Sequence, residues 1–196
     1  MNHSSLILTL PVWVEPFVNR YPFPLDTDAA RMRFVIALAL ENIKCKSGGP
    51  FAAAVFESAT GNLIAAGVNR VVPLGCSIAH AEMMAIGLAQ QELDTYDLSG
   101  PDLPAVELVT STEPCAMCLG AIPWAGIRKI ICGAGDADAR NAGFDEGAKP
   151  ADWTGMLRKR GIEVNTGVCA KAAAEVFTVY KESGGEIYNG GSSYNS

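Results

Sequence analysis

His80-Ala81-Glu82 and Pro114-Cys115-Ala116-Met117-Cys118 hold the side chains of this sequence best suited to chemistry. One imidazole and two thiolates make a good ligand set for zinc. Three protein ligands leave tetrahedral Zn²⁺ one open position for water, which separates a catalytic zinc from a closed structural one. The ion lowers the pKa of that water to about 7, so a nucleophile is available at neutral pH. Glu82, two residues from the imidazole, is not needed as a ligand. It is free to take the water's proton and pass it to a substrate. The expectation is one zinc per chain on His80, Cys115 and Cys118, with Glu82 as the catalytic acid and base.

Each half of the pattern is weak alone, since Cys-x-x-Cys also occurs in structural zinc sites and redox pairs. A lone histidine is more often a hydrogen-bonded core residue. Here there are only two, and the other, His3, lies near a terminus. A closed zinc site would need a fourth ligand. Cys45, Cys76, Cys132 and Cys169 qualify by type, but each stands alone among apolar or small residues, where a thiol behaves as a small hydrophobe. Cys76, shortly before His80, is the strongest rival.

The surrounding elements must bring the two segments together. Asp26 or Thr27 caps a helix whose apolar positions, Met32, Val35, Ile36, Ala39, Leu40 and Ile43, recur at helical spacing up to Cys45. Ser47-Gly48-Gly49-Pro50 ends it. Phe51–Phe56 and Leu63–Val68 flank Thr60-Gly61-Asn62 as a hairpin. His80–Leu93 and Cys115–Trp124 read as helices that open after loops. His80 and Cys115 therefore fall at helix N-termini, whose dipoles favour anionic groups. Ala105–Val109, Lys129–Cys132 and Ile162–Val164 read as strands, and Trp153–Arg160 and Lys171–Tyr180 as helices. Residues 133–150 read as a long Gly/Ala/Asp-rich connection. Helices between strands predict a three-layer α/β/α sandwich. Residues 1–26 form a Pro-rich, aromatic arm, 27–182 the domain, and 183–196 a Gly/Ser/Asn/Tyr-rich flap or tail.

Composition narrows the function classes. The chain has 196 residues, 49% of them hydrophobic, which suits one enzyme domain with a sizeable core. No apolar run reaches the roughly eighteen residues a membrane helix needs. Leu6 to Val14 is interrupted by Pro11, follows no basic region and does not read as a signal peptide. Six cysteines in a chain of this length point to a reducing cytoplasm rather than a disulfide scaffold. A net charge of −6 is the wrong sign for binding nucleic acid through its phosphates. Arg158-Lys159-Arg160 is the only basic cluster.

Taken together, these segments resemble the cytidine deaminase superfamily, and within it most closely the guanine deaminases. The matching stretches are Gly48-Gly49-Pro50-Phe51, Ala66-Gly67-Val68-Asn69, His80-Ala81-Glu82, Thr112-Glu113-Pro114-Cys115-Ala116-Met117-Cys118-Leu119-Gly120-Ala121-Ile122-Pro123-Trp124-Ala125, and Asp138-Ala139-Arg140-Asn141-Ala142-Gly143-Phe144-Asp145-Glu146. The resemblance implies a mixed central sheet of about five strands in that sandwich. It implies hydrolytic deamination of a free base, guanine to xanthine plus ammonia, by a homodimer. Asn69 would hydrogen-bond the purine edge, and the backbone N–H of Ala81 would reach a base oxygen. The acidic position after Gly143-Phe144 would accept from the base. By spacing from Cys115 that is Glu146, where the family often has Asp, with Asp145 beside it. Phe51 and Trp124 would wall the ring. A C-terminal segment, in some members the partner's, would bring Tyr188 or Tyr194 over the pocket.

Other readings stay open. Within the superfamily they are cytosine, cytidine or tRNA adenosine deamination. A different class is a non-catalytic, zinc-stabilised interaction domain, which would have no use for Glu82. Taken singly, Asn69 reads as a turn residue, Asp145-Glu146 as a solvated pair, Phe51 and Trp124 as core, and the tail as disordered. Glu113 reads as a tie for the cysteine loop.

Overall fold

The structure is a computed structural model that describes residues 5–190. Tyr194, one of the two candidate closing residues, lies outside them. The N-terminal arm carries one short helix, α1 (Val14–Val18). It lays Phe17, Tyr21 and Phe23 against Phe34, and Trp13 meets Phe17 edge-on. Phe34 belongs to α2 (Asp28–Lys44), whose cap is Thr27: its hydroxyl accepts the Ala30 N–H at 3.1 Å.

A hairpin follows, β1 (Ala52–Glu57) and β2 (Leu63–Val68), then the short α3 (Val71–Leu74) and α4 (Ala81–Glu92). The chain continues through β3 (Val106–Thr112), α5 (Ala116–Trp124), β4 (Lys129–Ala134) and α6 (Asp136–Ala142). It ends with α7 (Trp153–Arg158), β5 (Glu163–Asn165) and α8 (Ala170–Glu182). The five strands form one sheet in the order β2-β1-β3-β4-β5. β1 runs antiparallel to both β2 and β3, whereas β3, β4 and β5 are parallel, so the sheet is mixed.

Strand side chains alternate between faces. Ala52, Ala54 and Phe56 face the layer of α2, α8 and the arm. Ala53 and Val55 face the layer of α4, α5 and α7. This is the three-layer sandwich expected from the order of elements. Small residues let the layers close up. A Cβ on Gly67 of β2 would meet the backbone of Ala81 and Ala85 in α4, so only glycine lets that helix lie so close to the strand.

The short helices α1 and α3 were not expected from the sequence, several element ends shift by one or two residues, and two differences are larger. The connection 133–150 contains α6. Its sequence, DADARNA, lacks an apolar stripe, but the Asp138 carboxylate accepts the Gly135 N–H at 2.8 Å and Gly143, at φ 106°, ends the helix. Strand β3 runs on to Thr112, because Thr110, Ser111 and Thr112 are buried with the rest of it. No helix among the described residues is long and apolar enough to cross a membrane.

Candidate active site

The sheet delivers the two chemical segments to one end of the sandwich. His80 is the N-cap of α4 and Cys115 the N-cap of α5, both with extended backbone, and Cys118 lies one turn into α5. The two helices pack on the same face of the sheet. His80 turns Nδ1 to within 3.5 Å of Cys115 Sγ, and ligand atoms of His80, Cys115 and Cys118 all lie within 4.8 Å of one another. Ligand atoms bound to one tetrahedral zinc at roughly 2.0–2.3 Å are about 3.5 Å apart, so this set fits the ion. A hydrogen bond from Cys118 draws the Cys115 thiol down to about 4, helped by His80 and opposed by burial. Cys76 lines the adjoining cavity but is not part of the ligand cluster found among the described residues.

Glu82 projects from the first turn of α4 and is buried. Its Oε1 accepts from the Thr110 hydroxyl at 3.1 Å, and its Oε2 lies 3.4 Å from Cys118 Sγ. Burial, reinforced by the charge of Cys115, raises its carboxyl above the ordinary range. A carboxyl so close to the ligand cluster is placed to accept and return a proton. Thr110 had no signal in the sequence, since a threonine in an apolar run reads only as strand propensity.

A cavity of about 610 Å³ opens over this cluster, lined by Phe51, His80, Glu82, Cys115, Glu146 and Tyr188 among others. Phe51 and Phe144 meet edge-on, with ring centroids 4.9 Å apart, and Tyr188 crosses Phe144 at 5.4 Å. Asn69 and Ala81 are not among the cavity's lining residues. Asn69 Oδ1 accepts from Gly49 N–H at 3.4 Å and Val71 N–H at 3.3 Å. Among the described residues its buried Nδ2 has no partner, and neither does the Tyr188 hydroxyl. A Cβ on Gly49 would come within 2.8 Å of that hydroxyl and 3.1 Å of Asn69 Oδ1, so glycine leaves room for both. Ala81 is the first residue of α4, where helix geometry provides no acceptor for its N–H.

The adjacent acids part company. Glu146 is buried, and burial together with the charges of Cys115 and Glu82 pushes its carboxyl up to about 8. Asp145 is exposed and closes a turn by accepting Gly147 N–H at 2.9 Å. Glu113 ties the loop before Cys115 to α6 by accepting Asp136 N–H at 3.3 Å.

Trp124 does not wall this cavity. It is the last residue of α5, at the opposite end from the cysteines, and is 86% exposed. The aromatic beside Phe51 is instead Phe144, whose loop is held by α8 through Phe177 and Tyr180. The tail reaches the cavity within its own chain. Asn189 donates to Gly143 O at 3.0 Å and accepts from Asp145 N–H at 2.9 Å, and Glu186 to Gly190 complete the rim.

Residues 25–134 match the profile of the cytidine and deoxycytidylate deaminase zinc-binding region. The guanine deaminase of Bacillus subtilis (strain 168) is 39% identical over 115 residues, 59% of this chain and 69% of its own length. Among solved structures, NE0047 in complex with 2,6-diaminopurine is 50% identical and superposes with a TM-score of 0.88, covering 94% of this chain and 97% of its own. The guanine deaminase from Nitrosomonas europaea is 48% identical, with a TM-score of 0.87 over 93% of this chain and 99% of its own.

Proposed function

Because this chain belongs to the deaminase family defined by that zinc-binding region, we propose that it hydrolyses the free base guanine to xanthine and ammonia. The observation that carries the substrate choice is a pair of buried polar atoms without a partner among the described residues, Asn69 Nδ2 and Tyr188 Oη, on two side chains that both approach Gly49, Tyr188 lining the cavity over His80 and Cys115. A site built to hydrogen-bond a base leaves such atoms unpaired until the base arrives.

His80, Cys115 and Cys118 would hold zinc, which when bound would supply a water activated at neutral pH. Glu82 takes one proton from the water and delivers it to the ring nitrogen, then carries the second proton, from the hydroxyl added to the amidine carbon, to the departing amine. Oxygen is added to the carbon, the carbon–nitrogen bond breaks, and ammonia leaves. Thr110 holds the carboxylate in place for these transfers. Both lone-pair directions of Asn69 Oδ1 are engaged by backbone N–H groups, so Asn69 meets the purine as a donor through Nδ2, with the Ala81 N–H beside it. Glu146 accepts from the base, and Asp145 shapes the turn that presents it. Phe51 and Phe144 face the ring, and Tyr188 closes over it.

The same reading makes 27–182 the catalytic domain, 1–26 an arm and 183–196 a flap. It also places a homodimer of this protein in the cytoplasm, in purine metabolism. None of the six cysteines is paired in a disulfide, in keeping with a reducing compartment. Ammonia release from guanine, guanosine, adenine, cytosine and cytidine tests the substrate: guanine should dominate, and preference for a pyrimidine would overturn the choice.

A further inference from the structure

We propose that the N-terminal arm sets guanine affinity through a hydrogen-bond relay, Trp13–Ser47–Asn42, that holds the base-reading Asn69 in position. The inference rests on the assignment of Asn69 to the base. Trp13 is half-buried in the arm and is not among the residues lining the cavity. Its indole Nε1 donates to Ser47 Oγ at 2.9 Å. Ser47 Oγ in turn donates to Asn42 Oδ1 at 2.7 Å. Asn42, fully buried in α2, uses its single amide nitrogen twice: Nδ2 donates to Gly49 O at 2.8 Å and to Asn69 O at 3.1 Å. Gly49 then returns its N–H to Asn69 Oδ1.

The relay reads from one end of the chain to the site. Asn42 stitches the segment after α2 to the segment after β2, and the Asn69 side chain hangs from that stitch. The segments touch closely enough that a Cβ on Gly48 would collide with the Asn69 carbonyl. Arg70 closes the same knot from the far side, its guanidinium donating to Ser47 O. A buried amide whose donors and acceptor are all engaged has one orientation, and the orientation of Asn42 fixes that of its neighbours. Ser47 supplies Asn42 with its donor, and Trp13 fixes the Ser47 hydroxyl by occupying its lone pair. Trp13 and Asn42 are therefore positioning residues, acting through Asn69 rather than touching the base.

A double-mutant cycle tests this, using guanine KM and kcat with zinc content and Tm recorded for each protein. Trp13→Phe keeps the ring against Phe17 and removes only the N–H donor. Asn42→Ala should raise KM about two- to tenfold, the span of one net hydrogen bond, and Trp13→Phe about twofold. Both should keep one zinc per chain and leave kcat within about a factor of two, because neither touches Glu82 or the ligands. In an Asn69→Ala background both effects should vanish. If they persist there at full size, or if neither variant changes KM in the wild-type background, the relay is overturned while Asn69 keeps its role. If Asn69→Ala itself leaves guanine kinetics unchanged, the assignment of Asn69 fails and the relay falls with it. Should Asn42→Ala not fold, the Trp13→Phe cycle alone decides.

Discussion

In the proposed mechanism turnover depends on Glu82, whereas zinc binding does not. Glu82→Gln preserves the shape and the Thr110 contact but cannot take a proton. It should keep zinc and Tm and lose about 10²–10⁴-fold in kcat, the typical contribution of a general acid/base. Activity near wild type would mean that another carboxyl does the work. Asn69→Ala and Glu146→Ala should likewise keep zinc while lowering kcat/KM for guanine, since the proposal assigns them to the base; normal guanine kinetics in both would sink that assignment. At this scale the ligands and Glu82 were legible, because metal chemistry demands particular residue types at short spacings. Trp124 was not: its place at the end of α5 puts it on the surface, and a residue of the right type carries no record of which way its helix faces. Phe144 and Thr110 escaped for the opposite reason, being ordinary apolar and strand residues until the fold brings them to the cavity.

Elements hold those residues still, and Asp28 is one of the ties. It opens α2 and reaches across the sheet, accepting from Lys129 of β4 at 3.0 Å and Asn165 of β5 at 2.9 Å. Burial alone would raise its carboxyl, but these hydrogen bonds outweigh it and hold the pKa below the ordinary 3.8. A depressed carboxyl contributes stability above its unfolded pKa and loses it as pH falls through the folded value. Wild type should therefore melt above Asp28→Asn by a constant margin from neutral pH down to the ordinary value, and the margin should close below it. A margin that widens in acid would contradict the tie. The longer helices and the strands were legible from apolar periodicity. Helix α6 was not, since its stability comes from Asp138 at the first turn and from packing on α8, neither of which leaves an apolar stripe.

Across the whole molecule, both ends of the described chain converge on the site between them: the arm through the Trp13 relay, the tail through Tyr188 and Asn189. The tail's glycines suggested a flap from sequence, but only the fold shows that residues 186–190 border the cavity of the same chain. Deleting 184–196 removes Tyr188 and the Asn189 ties but little of the core. Guanine turnover should fall far more than Tm; full activity in the truncated protein would make the segment a mere end. The central claim is that one zinc on His80, Cys115 and Cys118 makes this protein a guanine deaminase. It is tested most directly by stripping the protein with a chelator and adding zinc back while xanthine formation from guanine is followed. The rate should rise in proportion to zinc and level off at one ion per chain, with a Cys118→Ser protein gaining none. Xanthine formed at full rate without zinc, or none formed by the zinc-saturated wild type, would contradict the account.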